Sequence, residues 1–146
     1  MEDQGRGDRS PLFCDTNVFV RFLTADSARQ SPLARRALER AARGDITIAV
    51  TDVVIAELAY VLTKVYGLTV ALASERLLAL LWLPGVECSQ PSVVEDALGL
   101  WAEGRVDFVD AYLAALCRGI DETAVLSFDR DFDRIEGVER VDPAQY

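Results

Sequence analysis

Five carboxylates in this sequence, Asp107 among them, fall at the ends or on the predicted inner faces of separate structural elements. Asp15 and Asp129 each directly follow an apolar run, and Glu57 and Asp110 lie among aliphatic residues in segments with helical spacing. A carboxylate in such surroundings is costly to bury unless it is paired or holds a metal ion. We therefore predict that Asp15, Glu57, Asp110 and Asp129 converge on one site for a hard cation.

The residue types that are missing narrow the chemistry further. The sequence contains no histidine, which excludes Ser-His and Cys-His nucleophile pairs, imidazole acid-base catalysis and histidine-ligated zinc. Oxygen ligands alone suit Mg²⁺ or Mn²⁺, and such an ion activates water and neutralises charge that develops on a phosphodiester. Mg²⁺ or Mn²⁺ is therefore the expected cofactor, and phosphate chemistry is the expected reaction class.

Further polar residues stand close in sequence to the four acids. Asp107 precedes Asp110 by three residues, so it is either an additional acid near the site or only the N-cap of the helix that carries Asp110. The others can orient a carboxylate or a water, although duty in turns and helix caps also accounts for them. The auxiliary candidates are Thr16, Asn17, Asp107 and Ser127.

The direction of the Glu57 side chain depends on the helix that carries it. Val53, Val54, Leu58 and Val61 lie at positions i−4, i−3, i+1 and i+4 from Glu57, which places Glu57 in an apolar stripe. Glutamate is also a fair helix former that can simply point to solvent. The stripe favours an inward side chain and a role in the site.

A framework of alternating strands and helices must position these acids. Short apolar or β-branched runs separated by helical segments indicate parallel strands with helices on both faces. The predicted fold is an α/β, three-layer αβα sandwich with a mainly parallel central sheet of four to five strands. Strand carboxyl ends share one edge of such a sheet, which places Asp15 and Asp129 on the same rim. The predicted strands cover residues 12–15, 46–50, 86–88, 123–127 and 138–141.

Length and composition predict a single domain. A chain of 146 residues can bury a real core. We expect residues 12–146 to form that domain and the polar, charged residues 1–11 to be a disordered lead-in. The three cysteines lack C-x-x-C spacing and are expected to be reduced core thiols. Because no apolar run of about 18 residues exists, we expect no membrane partner and a cytoplasmic location.

Charge is distributed unevenly along the chain. The net charge is −9, and residues 87–146 hold fourteen acidic and five basic side chains, whereas residues 1–86 hold ten of each. Residues 21–43 contain six arginines against Asp26 and Glu39. This basic stretch either binds a polyanion through its backbone phosphates or is only a solvated helix face.

The apolar helices between residues 53 and 82 carry more large hydrophobic side chains than one face of a sheet needs. We expect part of this set to form a groove for a partner helix or a dimer face. The set is Leu72, Leu77, Leu80, Leu81 and Trp82.

The four acids lie in motifs that follow one another in a characteristic order. These are Asp15-Thr16-Asn17 after the first strand, Glu57 in a helix after the second, Asp110-Ala111 opening a later helix, and Ser127-Phe128-Asp129-Arg130-Asp131-Phe132 after a late strand. Together they resemble the PIN-domain ribonucleases, and among these the VapC-like toxins of bacterial and archaeal toxin-antitoxin modules. The resemblance covers about residues 12–142.

The resemblance implies a fold, an activity and partners. It implies a small αβα sandwich, Mg²⁺- or Mn²⁺-dependent endonucleolytic cleavage of RNA, a homodimer, and a cognate antitoxin protein that occupies the active site. It also implies that Asp15, Glu57, Asp110 and Asp129 are the four acids of the family. Thr16 or Asn17 would be the polar helper that follows the first strand.

Two other classes stay open at this point. A phosphotransfer or phosphatase domain would use Asp15 after the first strand. However, the phosphatase pattern has a second Asp two residues later, where this chain has Asn17, and a receiver domain has a late lysine, whereas the only lysine here is Lys64. A non-catalytic, acidic protein-binding module is the alternative if the carboxylates do not converge.

Overall fold

The structure, a computed structural model, describes residues 10–121 and 123–146. The predicted disordered lead-in over residues 1–11 therefore lies outside the described residues except for Ser10 and Pro11.

The described chain alternates helices with very short strands. The strands are β1 (Leu12–Phe13), β2 (Ile48–Val50), β3 (Val86–Cys88), β4 (Val125–Leu126) and β5 (Arg140–Val141). The α-helices are α1 (Thr16–Thr24), α2 (Gln30–Ala42), α3 (Asp52–Tyr60), α4 (Val70–Leu81), α5 (Pro91–Ala102) and α6 (Phe108–Arg118). A π-helical turn (Val61–Val65) follows α3, and two 3₁₀ turns (Arg130–Arg134 and Pro143–Gln145) lie near the C-terminus.

All strand pairs in the described chain are parallel, which confirms the α/β class with a parallel sheet. Hydrogen bonding orders three strands as β1-β2-β3, with Leu12 opposite Ile48 and Ile48 opposite Val86. The other two pair as β4-β5, with Val125 opposite Arg140. The prediction of one sheet of four to five strands is therefore modified, because the larger sheet has three strands. Strands of two or three residues offer few backbone groups for further pairing.

The described residues form two compact units. The N-terminal unit comprises the described residues up to Leu58 together with Ala79–Ser89, and the C-terminal unit comprises Ala59–Leu78 with Gln90–Tyr146. Each unit buries its own apolar residues. In the N-terminal unit these include Phe19, Leu38, Ile48, Val50, Ile55 and Leu58. In the C-terminal unit they include Leu62, Leu77, Val94, Leu98, Ala111, Ala114 and Phe132. A single domain over residues 12–146 stays a prediction.

In the C-terminal unit, α5 and α6 pack against each other. Ala111 and Ala114 are fully buried, as expected for small residues that permit close helix packing. The ring of Trp101 meets that of Phe108 edge-on at 5.7 Å between centroids, a favoured aromatic geometry. This packing fixes the first turn of α6, which carries Asp110.

In the N-terminal unit, α2 comes very close to the turn before β3. Gly85 has a φ of +80°, and a Cβ built on it would lie 2.2 Å from the carbonyl oxygen of Ala41. Only glycine satisfies both the left-handed backbone and this approach. Gly44 also has a positive φ, of +85°, but has open space around it.

The structure changes two sequence-based expectations about helices. The apolar helical spacing around Glu57 extends to Val61, but α3 ends at Tyr60 and the chain continues as the π-helical turn. Helix α1 begins at Thr16 with Asp15 in the N-cap position, so Asn17 is not the cap.

The predicted partner surface is partly wrong. Leu77 and Leu80 are core residues, with exposed fractions of 0% and 1%, so they cannot line a groove. Leu72 and Trp82 are exposed. Among the helices of residues 10–121 and 123–146, none has the length and apolar content needed to cross a membrane.

Candidate active site

In the N-terminal unit, two of the candidate residues are joined by a hydrogen bond. Thr16 opens α1 just after β1, and its side chain is buried with a residue exposure of 5%. Its hydroxyl donates to Oε2 of Glu57 on α3 at 2.8 Å. Because β1 and β2 are neighbouring parallel strands, the helices that follow them start at the same edge of the sheet. The sheet therefore brings Thr16 and Glu57 together.

Glu57 reaches this position differently from the sequence-based prediction. The residue is exposed rather than inward-facing, and Val53, which helped define the predicted apolar stripe, is 77% exposed. The buried residues of α3 are Ile55, Leu58 and Ala59. The prediction of an inward-facing Glu57 is therefore wrong. A hydrogen bond from Thr16, rather than burial, orients its carboxylate.

Asp15 lies at the end of β1 and is exposed. It holds the N-cap position of α1, but its carboxylate makes no capping hydrogen bond in the described chain. The neighbouring Cys14 is half-buried, and burial, together with the charge of Asp15, raises the pKa of its thiol to about 11. A protonated thiol is a poor metal ligand, so the oxygen atoms of Asp15 are the ligands available here. Asn17 is exposed on the next turn.

In the C-terminal unit, Asp110 lies near several other carboxylates. Partial burial raises the pKa of Asp110 above the usual aspartate value, and the charges of Asp129, Asp107 and Asp131, in that order, raise it further. Like charges disfavour one another's ionised forms only at short range. Asp129, Asp107 and Asp131 are therefore the acids whose charges act on Asp110.

Asp107 holds the N-cap position of α6, as the alternative reading expected. Its carboxylate, however, accepts no capping hydrogen bond in the described chain. The cap position explains where Asp107 sits, and its carboxylate is still available to a ligand.

Asp129 is held in a tight turn directly after β4. Its backbone N–H donates to Oγ of Ser127 at 2.9 Å, and its own Oδ1 accepts from the N–H of Asp131 at 2.9 Å. These bonds give Asp129 the N-cap position of the 3₁₀ turn Arg130–Arg134. Ser127 thus supports the backbone that carries Asp129.

Arg140 on β5 also forms hydrogen bonds to residues around the turn that carries Asp129. One terminal N–H of its guanidinium donates to the carbonyl oxygen of Ser127 at 3.0 Å, and Nε and the second terminal nitrogen donate to the two oxygens of Asp133 at 2.9 and 3.3 Å. The hydrogen bond to Asp133 is the main cause that raises the pKa of Arg140. Sequence reasoning missed Arg140 because nothing in the local sequence links β5 to the Asp129 turn.

In the N-terminal unit a hydrogen bond joins Thr16 to Glu57, and in the C-terminal unit the charges of Asp129 and Asp107 act on Asp110. Residues 10–121 and 123–146 contain no group of three or more Asp, Glu or Cys side chains arranged to hold a metal ion. The joint role of Asp15, Glu57, Asp110 and Asp129 stays a prediction. The three cysteines are free thiols, and Cys117 is buried while Cys14 and Cys88 are half-buried.

Comparison with protein families identifies the chain. The sequence profile of the PIN domain matches residues 12–138, most of the chain. The chain belongs to the PIN domain family. PIN domains are in general nucleases that bind RNA and use divalent metal ions held by acidic residues. A search of curated proteins found no match.

The residues of this PIN domain suit such an ion. Its candidate ligands are carboxylates without histidine, the donor set that hard divalent cations prefer. A cation next to Asp110 would also offset the repulsion that raises its pKa. Membership of the family favours the nuclease reading over the phosphotransfer domain and the non-catalytic binding module.

Proposed function

We propose that this PIN domain is an Mg²⁺- or Mn²⁺-dependent endoribonuclease and the toxin of a toxin-antitoxin pair. The observation that carries the nuclease proposal is the match of the PIN domain to residues 12–138. It is supported by the partly buried Asp110, whose pKa is raised by burial and further by the charges of Asp129 and Asp107. A bound cation would offset this repulsion between like charges. In a PIN domain the natural counter-ion is the catalytic metal.

The proposed ligands are Asp15, Asp110 and Asp129, with Glu57 as a further ligand or as a base that orients water. When bound, the ion activates water and neutralises charge on the scissile phosphodiester. The chain itself fixes the directions of the carboxylates. Thr16 orients Glu57 through its hydroxyl, and Ser127 holds the turn of Asp129.

The proposed products follow from water being the nucleophile. Attack by water, rather than by the neighbouring ribose 2′-hydroxyl, forms no cyclic phosphate. The expected ends are a 5′-phosphate and a 3′-hydroxyl. Single-stranded or loop RNA is the proposed substrate because its bases and backbone are accessible.

The toxin role is supported by the resemblance of the acidic motifs to VapC-like PIN domains. It implies a cytoplasmic homodimer and an antitoxin that places an Arg or Lys against the acids, since such charge-assisted bonds to carboxylates are strong. After the correction of the predicted surface, Leu72 and Trp82 are its exposed members.

The nuclease proposal is tested by RNA cleavage in Mg²⁺, in Mn²⁺ and in excess EDTA. Wild type should cleave only with metal and leave the ends named above. Asp15→Asn, Asp110→Asn and Asp129→Asn should abolish cleavage, whereas Asp121→Asn, which changes an exposed acid outside the proposed site, should not. Cleavage that survives in EDTA, or 2′,3′-cyclic phosphate ends, would show that the mechanism is different.

The toxin proposal needs its own experiment. Induced expression in a bacterial host should arrest growth with wild type and not with Asp15→Asn at equal protein levels. Light scattering of the purified protein should give the mass of a dimer. A protein that cleaves RNA in vitro but never slows growth would be a nuclease and not a toxin. A monomer mass in light scattering would contradict the proposed homodimer.

A further inference from the structure

Helix α2 presents a strongly basic surface in the N-terminal unit. The helix buries Ala34, Leu38 and Ala41, with exposed fractions of 6%, 4% and 1%. That packing leaves Arg35 and Arg36 on the exposed side, and Arg29 is exposed just before the first residue of the helix. We call Arg29, Arg35 and Arg36 the α2 arginine face.

No acid of the described chain pairs with this face, although Glu39 lines the same pocket as Arg35 and Arg36. Within the described residues, none of its three arginines forms an ion pair, although other arginines of the same unit do. Arg40 and Arg43 share Asp45, at 3.9 and 3.5 Å. Arginine side chains without partners keep all their N–H donors available for a ligand.

Two further features favour an anionic ligand at this face. The first turn of α2 contains no acidic residue, so the positive end of the helix dipole adds to the arginines. A pocket of about 440 Å³ opens between the end of α1 and the start of α2. It is lined in part by Arg35, Arg36 and Ser27.

The rest of the chain makes this face the natural place for a polyanion. The net charge of −9 arises from residues 87–146, which contain fourteen acidic and five basic residues. Such an excess of negative charge repels RNA, whereas exposed arginines attract its phosphates. Helix α2 also packs against α1, whose N-cap is Asp15, so the face belongs to the same unit as one of the proposed metal ligands.

We propose that the α2 arginine face binds the phosphate backbone of the RNA. The inference rests on the proposed function, because it assigns this surface to the substrate of the nuclease. Arginine suits the role because its planar guanidinium makes paired hydrogen bonds to phosphate oxygens. The contacts are to the backbone, so they hold RNA of any sequence in place and do not select the cleavage site.

The test measures equilibrium binding of a fluorescent single-stranded RNA in EDTA, where no cleavage occurs, at salt concentrations from 50 to 200 mM. Each phosphate contact contributes about 0.7 to the slope of log affinity against log salt for a single strand. The double variant Arg35→Ala/Arg36→Ala should lower that slope by about 1.4. Its affinity deficit relative to wild type should therefore shrink about sevenfold between the two salt concentrations.

The matched control is Arg40→Ala/Arg43→Ala, which removes the same charge from the last turn of α2 and the residue that caps it. Because Asp45 already shares the charge of these two arginines, the control should keep most of the wild-type slope. Arg35→Lys/Arg36→Lys keeps the charge but not the paired hydrogen bonds and should restore most of the slope. Circular dichroism and melting of each variant verify that it is folded.

The outcomes separate this inference from the proposed function. If wild type cleaves RNA but Arg35→Ala/Arg36→Ala and Arg40→Ala/Arg43→Ala bind RNA with equal affinity, the α2 arginine face is not the RNA-binding surface. The nuclease proposal is then unaffected. If binding depends on Arg35 and Arg36 but no RNA is cleaved in Mn²⁺, the proposed function fails and the RNA-binding surface stands. If wild type does not bind RNA at all, both fail.

Discussion

The hydrogen bond between Thr16 and Glu57 can be measured directly. Thr16→Val keeps the shape of a buried side chain but removes the hydroxyl that donates to Oε2 of Glu57 at 2.8 Å. A hydrogen bond to a charged group is worth about 1.5–3 kcal/mol. Glu57 is exposed, so water replaces part of the lost bond, and we expect a net cost of about 1 kcal/mol.

A double-mutant cycle isolates this bond from other effects of the substitutions. Wild type, Thr16→Val, Glu57→Ala and the double variant are unfolded in urea with EDTA present, so that no metal contributes. The two substitutions should couple by about 1 kcal/mol. Thr16→Ser, which keeps the hydroxyl, should retain most of the stability. Coupling that is zero within error, or a Ser variant as unstable as the Val variant, would refute the contact.

The same bond has a consequence for activity if Glu57 takes part in catalysis. Thr16→Val should lower cleavage by more than its small loss of stability explains, because Glu57 loses its orientation while the protein remains folded. Thr16→Ser should restore cleavage. Rates measured well below the melting temperatures of all variants test this, and full activity of Thr16→Val would remove Thr16 from the site.

Three further predictions concern other parts of the chain. The folded-state pKa of Asp110 is raised, so its contribution to stability is present below the unfolded pKa and is lost as pH rises through the folded pKa. In EDTA at pH 7, Asp110→Asn should therefore melt higher than wild type and gain less on acidification to pH 5. Mn²⁺ at a hundredfold excess over its Kd should add about 2.7 kcal/mol to wild type and less to the variant, and a variant that melts lower without metal would contradict the crowding of carboxylates. Gly85→Ala should cost about 3 kcal/mol or more in urea unfolding, from backbone conformation plus the clash with Ala41, whereas Gly44→Ala should cost only about 1–2 kcal/mol; equal costs would contradict the close approach. Arg140→Lys loses the paired bonds to Asp133 and should weaken the Mn²⁺ response in thermal melts, and Asp133→Asn should have a similar effect because it breaks the same pair.

The helices were the part of the fold that the sequence predicted well. Gly104 and Gly119 are typical helix stop signals, and α5 and α6 end within two residues of them, at Ala102 and Arg118. The strands were found in the right order and in parallel pairs, and β3 has the predicted bounds, but the other four described strands are shorter than expected. Their ends depend on pairing with distant strands, which no local pattern contains.

The candidate site was predictable in its residue types and only partly in its geometry. The sequence placed Asp15 and Asp129 after strands, and in the structure they follow β1 and β4, whereas their shared rim stays a prediction. Glu57 was given the wrong direction because the helical wheel assumed that Val53 is inward, whereas it is 77% exposed. Arg140 was not found because its contact to the Asp129 turn depends on the pairing of β5 with β4.

The hydrogen bonds on Glu57 and Asp129 also affect how these carboxylates would meet an ion. In each, one oxygen already accepts a hydrogen bond from the chain, Oε2 of Glu57 from Thr16 and Oδ1 of Asp129 from the N–H of Asp131. The bonded oxygen keeps a lone pair, so both oxygens could still be ligands, but the rotation of each carboxylate is limited. A carboxylate held in advance would lose less conformational entropy when an ion binds, so these two bonds would favour binding without selecting the ion.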